Sequence, residues 1–318
     1  MAEITNINNS LSDEHISEIN SLRENSNTTI RPVAEGIEKI LYQVFPVLDH
    51  GFIRVVDYMG DDQAVVQAAR VSYGKGTTRV SEDRGLIRYL MRHRHSTPFE
   101  MCEIKLHVKL PMFIARQWIR HRTASINEYS ARYSVLDKEF YIPNTKDLAV
   151  QSKSNRQGRG EVLSKNDSKE ALEMLKRDAE KCFETYEYLL NEKSNGDIID
   201  KNRDGLAREL ARINLTLNTY TQWYWKTNLH NLMNFIYLRA DSHAQYEIRA
   251  YANIIYEIMK AWVPITAEAF NSYRSGSVEL SSEAMSVIKL MIAGNKIDQK
   301  SSGLSLREWN ELMHNLDK

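Results

Sequence analysis

Residues 120–132 read RHRTASINEYSAR, and few stretches of a protein concentrate so many fixed donors. Arg120, Arg122 and Arg132 stand among His121, Ser125, Asn127 and Ser130, with Glu128 as the one anion. A guanidinium presents two parallel N–H groups that match two oxygens of a phosphate, and short hydroxyls and amides complete such a cradle. The closing NEYSAR breaks helical periodicity and favours a turn, which leaves backbone N–H groups free to surround an anion. Glu128 is suited to a ribose hydroxyl or an amine, or to neutralising an arginine. The plain alternative for the whole run is an Arg–Glu surface network with no ligand.

A second constellation lies in NLHNLMNFIYLRADSHAQYEIR, residues 228–249. Asn228, Asn234 and Arg239 interrupt a helix whose other positions are Leu, Met, Phe and Ile, and polar groups there are expensive unless paired. Arg239, followed by Asp241 and His243, points to a ligand or to a buried Arg–Asp pair. A metal is not expected: His93, His95 and His121 lack carboxylate or thiol companions at ligand spacing. Cys102 and Cys182 are the only cysteines and have no basic neighbours in sequence, so neither reads as a nucleophile. Glycine-rich phosphate loops are absent.

The whole chain narrows the ligand class. Its 318 residues carry 42 Lys+Arg against 42 Asp+Glu, so the net charge is zero. A nucleic-acid binder normally shows a basic surplus, so the arginines are expected to act on a small anionic ligand. No basic start with an apolar run opens the chain, and no stretch reaches the eighteen apolar residues of a membrane span. The expectation is a cytoplasmic protein that binds neither membrane nor nucleic acid.

The elements that must position these residues are partly legible. Residues 1–35, rich in Asn, Ser and Glu, suggest a loosely ordered extension. FIRVVDYM (52–59) has strand composition, and DDQAVVQAARVSY (61–73) reads as a helix with an Asp cap. SEDRGLIRYLMRH (81–93) opens with a Ser cap and puts Leu86, Ile87, Leu90 and Met91 on one face. EIKLHVKL (103–110) alternates as a strand closed by Pro111, and MFIARQWIRHR (112–122) follows as a helix. Residues 150–168 read as an exposed loop. A long amphipathic helix then places Leu172, Leu175, Ala179, Cys182, Phe183, Tyr186 and Leu190 inward. Further helices are expected over 203–217, 228–239, 243–262 and 281–293, and a last one is opened by the capping box of Ser305 and Glu308. The fold class is α+β: a small mixed or antiparallel sheet with helices, then a largely helical C-terminal half.

RHRTASINEYSAR also resembles a known signature. It matches RHRxxSxNExSxR of the flavin-dependent thymidylate synthases at all eight fixed positions, a coincidence on the order of 10⁻¹⁰ per start position. HSTPFE, KLPMFIARQWIRHR, LARELARINL and LMNFIYLRADSHAQYEIRAYA are similar to family blocks in family order, over roughly residues 50–270. The resemblance implies a catalytic domain over 36–275, flanked by the 1–35 extension and a helical extension over 276–318. It implies a homotetramer with active sites between subunits. The reaction implied is reductive methylation of dUMP to dTMP, with methylenetetrahydrofolate as one-carbon donor and FAD passing a hydride from NADPH.

Carried over by residue, the resemblance implies that Gln117, Trp118, Ile119, Arg120, Glu128, Tyr129, Ser130, Ala131, Arg132, Arg212 and Arg239 hold dUMP. Arg132 and Arg212 would grip its phosphate within the Ser130–Arg132 backbone nest. Arg239 would be catalytic, facing the uracil where negative charge develops. Thr97, Arg120, His121, Arg122, Glu128, Asn228, Leu229, His230 and Asn234 would contact FAD, with His95 and Tyr133 near the flavin and folate. His230 departs from the family, which often has Arg there; it is shorter and titrates near neutrality. Two readings of other classes stay open: a non-catalytic nucleotide or RNA clamp, and a flavoenzyme of another specificity.

Overall fold

Strand β3 (Glu103–Pro111) shows how the sheet forms. Ile104, Leu106, Val108 and Leu110 are fully buried while the residues between them are half-buried, as strict alternation requires. In the computed structural model, which describes residues 13–71, 80–152 and 158–316, this strand lies at the centre of the main sheet. Its neighbours are β2 (Gly51–Met59) on one side and β7 (Tyr220–Asn228) on the other. The edges are β1 (Val44–Val47) beside β2, and β4 (Ser125–Glu128) beside β7. Every pairing is antiparallel. A separate hairpin joins β5 (Ala149–Gln151) to β6 (Arg159–Val162).

The helices are α1 (Asp13–Glu24), α2 (Glu35–Glu38), α3 (Asp62–Val71), α4 (Val80–Arg92), α5 (Thr97–Glu100) and α6 (Met112–Trp118). They continue as α7 (Lys165–Leu190), α8 (Arg208–Ala211), α9 (Leu229–Arg239), α10 (Tyr246–Trp262), α11 (Pro264–Phe270), α12 (Ser282–Ile292) and α13 (Leu306–Leu316). Two compact units divide after Ala267. In the second, α12 and α13 close on Ala284, Val287, Leu304 and Leu312, and Ser305 and Glu308 form the expected capping box. No helix among the described residues is long and apolar enough to cross a membrane. The α+β class stands.

The core of the first unit is aromatic. Trp118 from α6, Trp223 and Trp225 from β7, and Phe235 from α9 meet edge-on, stacked or tilted with centroids 4.6 to 5.8 Å apart. Burial of each such ring contributes about 2–3 kcal/mol. α10 covers the same face with Ile248, Tyr251, Ile255, Ile258 and Trp262.

Several local expectations change. β7 belongs to a stretch the pattern reading left without a strand, although Thr221, Trp223, Trp225 and Thr227 alternate inward there. Residues 203–217 hold only α8 and a 3-10 turn over Arg212–Asn214, not a long helix. The reason is a contact with the end of α7: Gly205 runs so close to Leu190 that a Cβ would sit 1.9 Å from its carbonyl oxygen, and Leu206 N–H donates to the Leu189 carbonyl. The helix expected over 112–122 stops at Trp118, because the chain must turn to pair β4 with β7. The loop expected over 150–168 contains most of the β5–β6 hairpin and the start of α7, capped by Ser164.

In α7, Ala179, Phe183, Tyr186 and Leu190 are buried, but Leu175 is exposed and Cys182 only half-buried. Near the start of the chain, where composition suggests loose order, α1 forms with Ile19 buried. Glu18 meets Arg54 at 2.7 Å, a cation 9% exposed that needs a partner. Asp61 caps α3 by accepting from Ala64 N–H. Residues 72 and 73 of that expected helix, and the side chain of the expected Ser81 cap, lie outside the described set.

Candidate active site

Arg239 is delivered by α9. Asn228 caps that helix by accepting from Asn231 N–H, and Leu229, Leu232, Met233, Phe235 and Ile236 bury one face. The helix ends at Arg239, whose Nη2 donates to the Gln117 carbonyl oxygen at 3.5 Å. Its Nε is buried without a partner, and so is the side-chain oxygen of Gln117. Burial pulls the guanidinium below its usual pKa, yet arginine stays a cation at neutral pH. The buried Arg–Asp pair does not form: Asp241 is exposed and accepts from His243 at 2.9 Å.

Arg239 and Gln117 line a cleft of about 1130 Å³. Its walls are the β5–β6 hairpin with Arg159, the end of α9, the segment 241–245, and the start of α10 with Tyr246 and Arg249. An orphaned donor and an orphaned acceptor in a cleft of this size point to a ligand site.

The signature run lies along the sheet edge. Ser125–Glu128 pair with Lys226–Trp223 as β4, then Tyr129 N–H donates to the Gln222 carbonyl and the chain turns. Ser130 organises that turn: its carbonyl accepts from Tyr133 and Ser134 N–H, and its Oγ from Arg132 N–H at 3.3 Å. Arg208 of α8 clamps the far side by donating to the Tyr133 carbonyl at 2.8 Å and to Glu192. Ala131 and Ala211 share one apolar cluster, so Arg132 and Arg212, each the next residue, leave from the same packed base. The Arg–Glu surface network is not what forms. Glu128 accepts instead from the Thr221 hydroxyl, while Arg120, Arg122, Arg132 and Arg212 are exposed without a carboxylate partner among the described residues.

His121 is buried against Trp225 and Phe235, beside the Thr123 hydroxyl at 3.2 Å. Burial, and then the charge of Arg239, hold its pKa below the ordinary value, so the ring is neutral at pH 7. His95 and Thr97 line a second cavity of about 560 Å³ with Tyr89, Leu86 and Leu90. Asn234 is exposed on α9 and His230 half-buried. Trp118 and Leu229 are fully buried and Ala131 nearly so, which leaves them only main-chain groups for a ligand. Ile119 and Tyr133 are exposed, with the Arg132 guanidinium 5.4 Å from the Tyr133 ring.

One chain therefore collects the candidate residues in separate places. Arg239 and Gln117 share the large cleft, and His95 and Thr97 share the smaller cavity. Arg120, Arg122, Arg132, Arg212, Asn228 and Asn234 line neither. Arg159 and Glu247 escaped the sequence reading: Arg159 sits in a polar stretch with no pattern, and only tertiary contacts reveal it.

Neither cysteine is placed as a nucleophile. Cys102 is buried, donates to the Asp61 carbonyl, and has its thiol pushed up to about 12 by burial and then by Asp61 and Asp62.

An edge-strand arginine signature, a cation aimed into a cleft and an inert thiol fit the class suggested by the sequence, and comparison with known proteins agrees. The family model described as Thymidylate synthase complementing protein matches residues 54–265. A flavin-dependent thymidylate synthase of Gluconobacter oxydans (strain 621H) is 61% identical over 96% of this chain and 98% of its own. One of Rickettsia bellii (strain RML369-C) is 58% identical over 90% of this chain and 98% of its own. Among solved structures, the UMP/dUMP methylase PolB from Streptomyces cacaoi, bound with 5-Br UMP, superposes with a TM-score of 0.63 at 35% identity, covering 72% of this chain and 97% of that one. The chain belongs to the flavin-dependent thymidylate synthase family.

Proposed function

We propose that this protein methylates dUMP to dTMP, taking the carbon from methylenetetrahydrofolate and the electrons from NADPH through bound FAD. The observation that carries this reading is Arg239: a half-buried cation whose buried Nε is unused, held against Gln117 at the wall of a large cleft. Facing the uracil, it stabilises the negative charge that develops as N3 loses its proton and C5 becomes nucleophilic. A fixed cation in a partly dry site needs no reorganisation when that charge appears.

The remaining residues bind and orient. Arg132 and Arg212, rising from one apolar base, grip the phosphate with the main chain of Ser130–Arg132. Gln117, Arg120, Glu128 and Tyr129 complete the nucleotide contacts, with main-chain groups of Trp118, Ile119 and Ala131. Arg120 and Arg122, exposed and without a carboxylate partner among the described residues, fit a pyrophosphate, and His121, kept neutral, donates or accepts without adding charge. Thr97, Glu128, Asn228, Asn234, His230 and the Leu229 main chain hold the rest of the flavin. His230 does so with a shorter reach than an arginine has. When bound, the flavin supplies the hydride that completes the methyl group. His95, in the smaller cavity, and Tyr133 lie toward the flavin and the folate.

Because one chain leaves these groups in separate places, the complete site requires more than one subunit, which supports a homotetramer. Tritium release from dUMP labelled at C5, with FAD, NADPH and methylenetetrahydrofolate omitted in turn, tests the reaction. Release only from the full mixture is expected. UMP run beside dUMP tests the sugar, since the solved relative from Streptomyces cacaoi is a methylase of both nucleotides. Bound flavin with no release from dUMP would mean that the substrate is another one.

A further inference from the structure

Glu247 is a buried carboxylate that none of the binding roles above uses. It stands in the first turn of α10 with a side chain 3% exposed, and three groups from different parts of the chain donate to it. Arg159 Nη2 of β6 lies 2.5 Å from Oε1, the Tyr141 hydroxyl 3.1 Å from the same oxygen, and Gln245 Nε2 2.9 Å from Oε2. Arg159 also donates through Nη1 to the Asp147 carbonyl and lies 5.7 Å from the Tyr246 ring.

These contacts join opposite walls of the Arg239 cleft. Arg159 belongs to the hairpin wall, while Gln245 belongs to the segment that follows Arg239. Arg249, one turn along α10, holds that segment again by donating to the Ser242 carbonyl at 2.7 Å. Among the described contacts, Arg159 of the hairpin and Gln245 of the segment after Arg239 thus meet on one carboxylate. A buried charge of this kind is satisfied only while all its partners are in place.

We infer that Arg159 and Glu247 form a latch that positions the β5–β6 hairpin against Arg239, and so sets the shape of the cleft in which the nucleotide reacts. Arg159 is here a positioning residue that acts through Glu247, and its role rests on the function proposed above. Loss of the latch lets the hairpin wall drift, and small displacements near a reacting centre are costly to rate.

The test uses the full chain and its Arg159→Ala, Arg159→Lys, Glu247→Gln and Arg159→Ala/Glu247→Gln variants. Two quantities are read: amide exchange over residues 149–151 and 159–162, and kcat/KM for dUMP in tritium release. Exchange in Arg159→Ala is expected to rise about ten-fold, as loss of a charge-assisted bond predicts, and kcat/KM to fall about ten-fold, mainly in kcat, as a displaced wall near the reacting centre predicts. Bound flavin should stay as in the parent, the melting midpoint of Arg159→Ala should fall because Glu247 is left buried without its cation, and Arg159→Lys should recover part of each loss. If the two residues act as one unit, the double variant is no worse than the worse single.

Unchanged exchange overturns the latch. So does faster exchange with kcat/KM within about two-fold of the parent, a size no wall displacement near the reacting centre would have. Additive losses in the double variant would mean that Arg159 touches the substrate directly, and they overturn the inference as well. A parent that releases no tritium overturns the proposed function and this role with it. An active parent with unaffected variants overturns the latch alone.

Discussion

Arg239 reaches back across 122 residues of sequence to set its Nη2 3.5 Å from the Gln117 carbonyl oxygen, while its own Nε stays buried and unbonded. This single contact ties the end of α9 to the end of α6 and leaves most of the guanidinium for a ligand.

Replacing that side chain should separate binding from chemistry. In Arg239→Ala, turnover is expected to fall about 10²–10³-fold, because developing charge loses its partner. Flavin content and dUMP affinity should change only a few-fold. Normal turnover in the variant would remove the catalytic role.

The phosphate assignment has its own test. Arg132→Ala should weaken dUMP by about 1.5–3 kcal/mol, the range for a hydrogen bond to a charged group. Uridine, which has no phosphate, should bind the variant and the parent alike. Equal losses for both ligands would argue against a phosphate contact.

Thiol chemistry is expected to be dispensable. With Cys102 held protonated by burial and Cys182 lining neither cavity, Cys102→Ser and Cys182→Ser should each release tritium at rates close to the parent. Loss of release in a folded variant would reopen a cysteine mechanism.

Acid should loosen the fold through its histidines. Arg54 donates to His107 Nδ1 at 2.9 Å, so the ring is the Nε2–H tautomer and donates to Gln222. Burial, then Arg54, depresses the His107 pKa below 6.5; burial, then Arg239, does the same for His121. A depressed folded pKa means that the unfolded chain binds the proton more readily. The stability these rings contribute is therefore present above pH 6.5 and drains away as pH falls toward the folded values. Melting from pH 7.5 down to about 5, above most carboxylate titration, should show a falling midpoint that is shallower in His107→Gln. Parallel curves would refute the linkage.

Asp62 offers a stability test away from the site. Its carboxylate accepts from Ile265 N–H, Thr266 N–H and the Thr266 hydroxyl, between 2.6 and 2.9 Å. Asp62→Ala strands those donors and is expected to cost about 2–4 kcal/mol in urea unfolding. A loss below 1 kcal/mol, the net value of an ordinary hydrogen bond, would mean that water replaces the carboxylate.

The chain itself determined whatever depends on neighbours in sequence. The alternation of Ile104, Leu106, Val108 and Leu110 makes a strand wherever it is placed, and Asn228 or Ser305 caps its helix with a partner three residues on. The eight signature positions likewise carried the family, because residue type and spacing are specified together within thirteen consecutive residues. Tertiary structure alone decided what depends on distant partners. Strand β7 forms in YTQWYWKTN because β3 and β4 offer it two hydrogen-bonding edges, and the chain over 203–217 stays mostly unwound because Gly205 is pressed against Leu190. Arg239 proved to be aimed at a cleft rather than paired with Asp241, and Arg159 found Glu247, 88 residues away. Such choices turn on which groups burial leaves unsatisfied, and no local pattern encodes them.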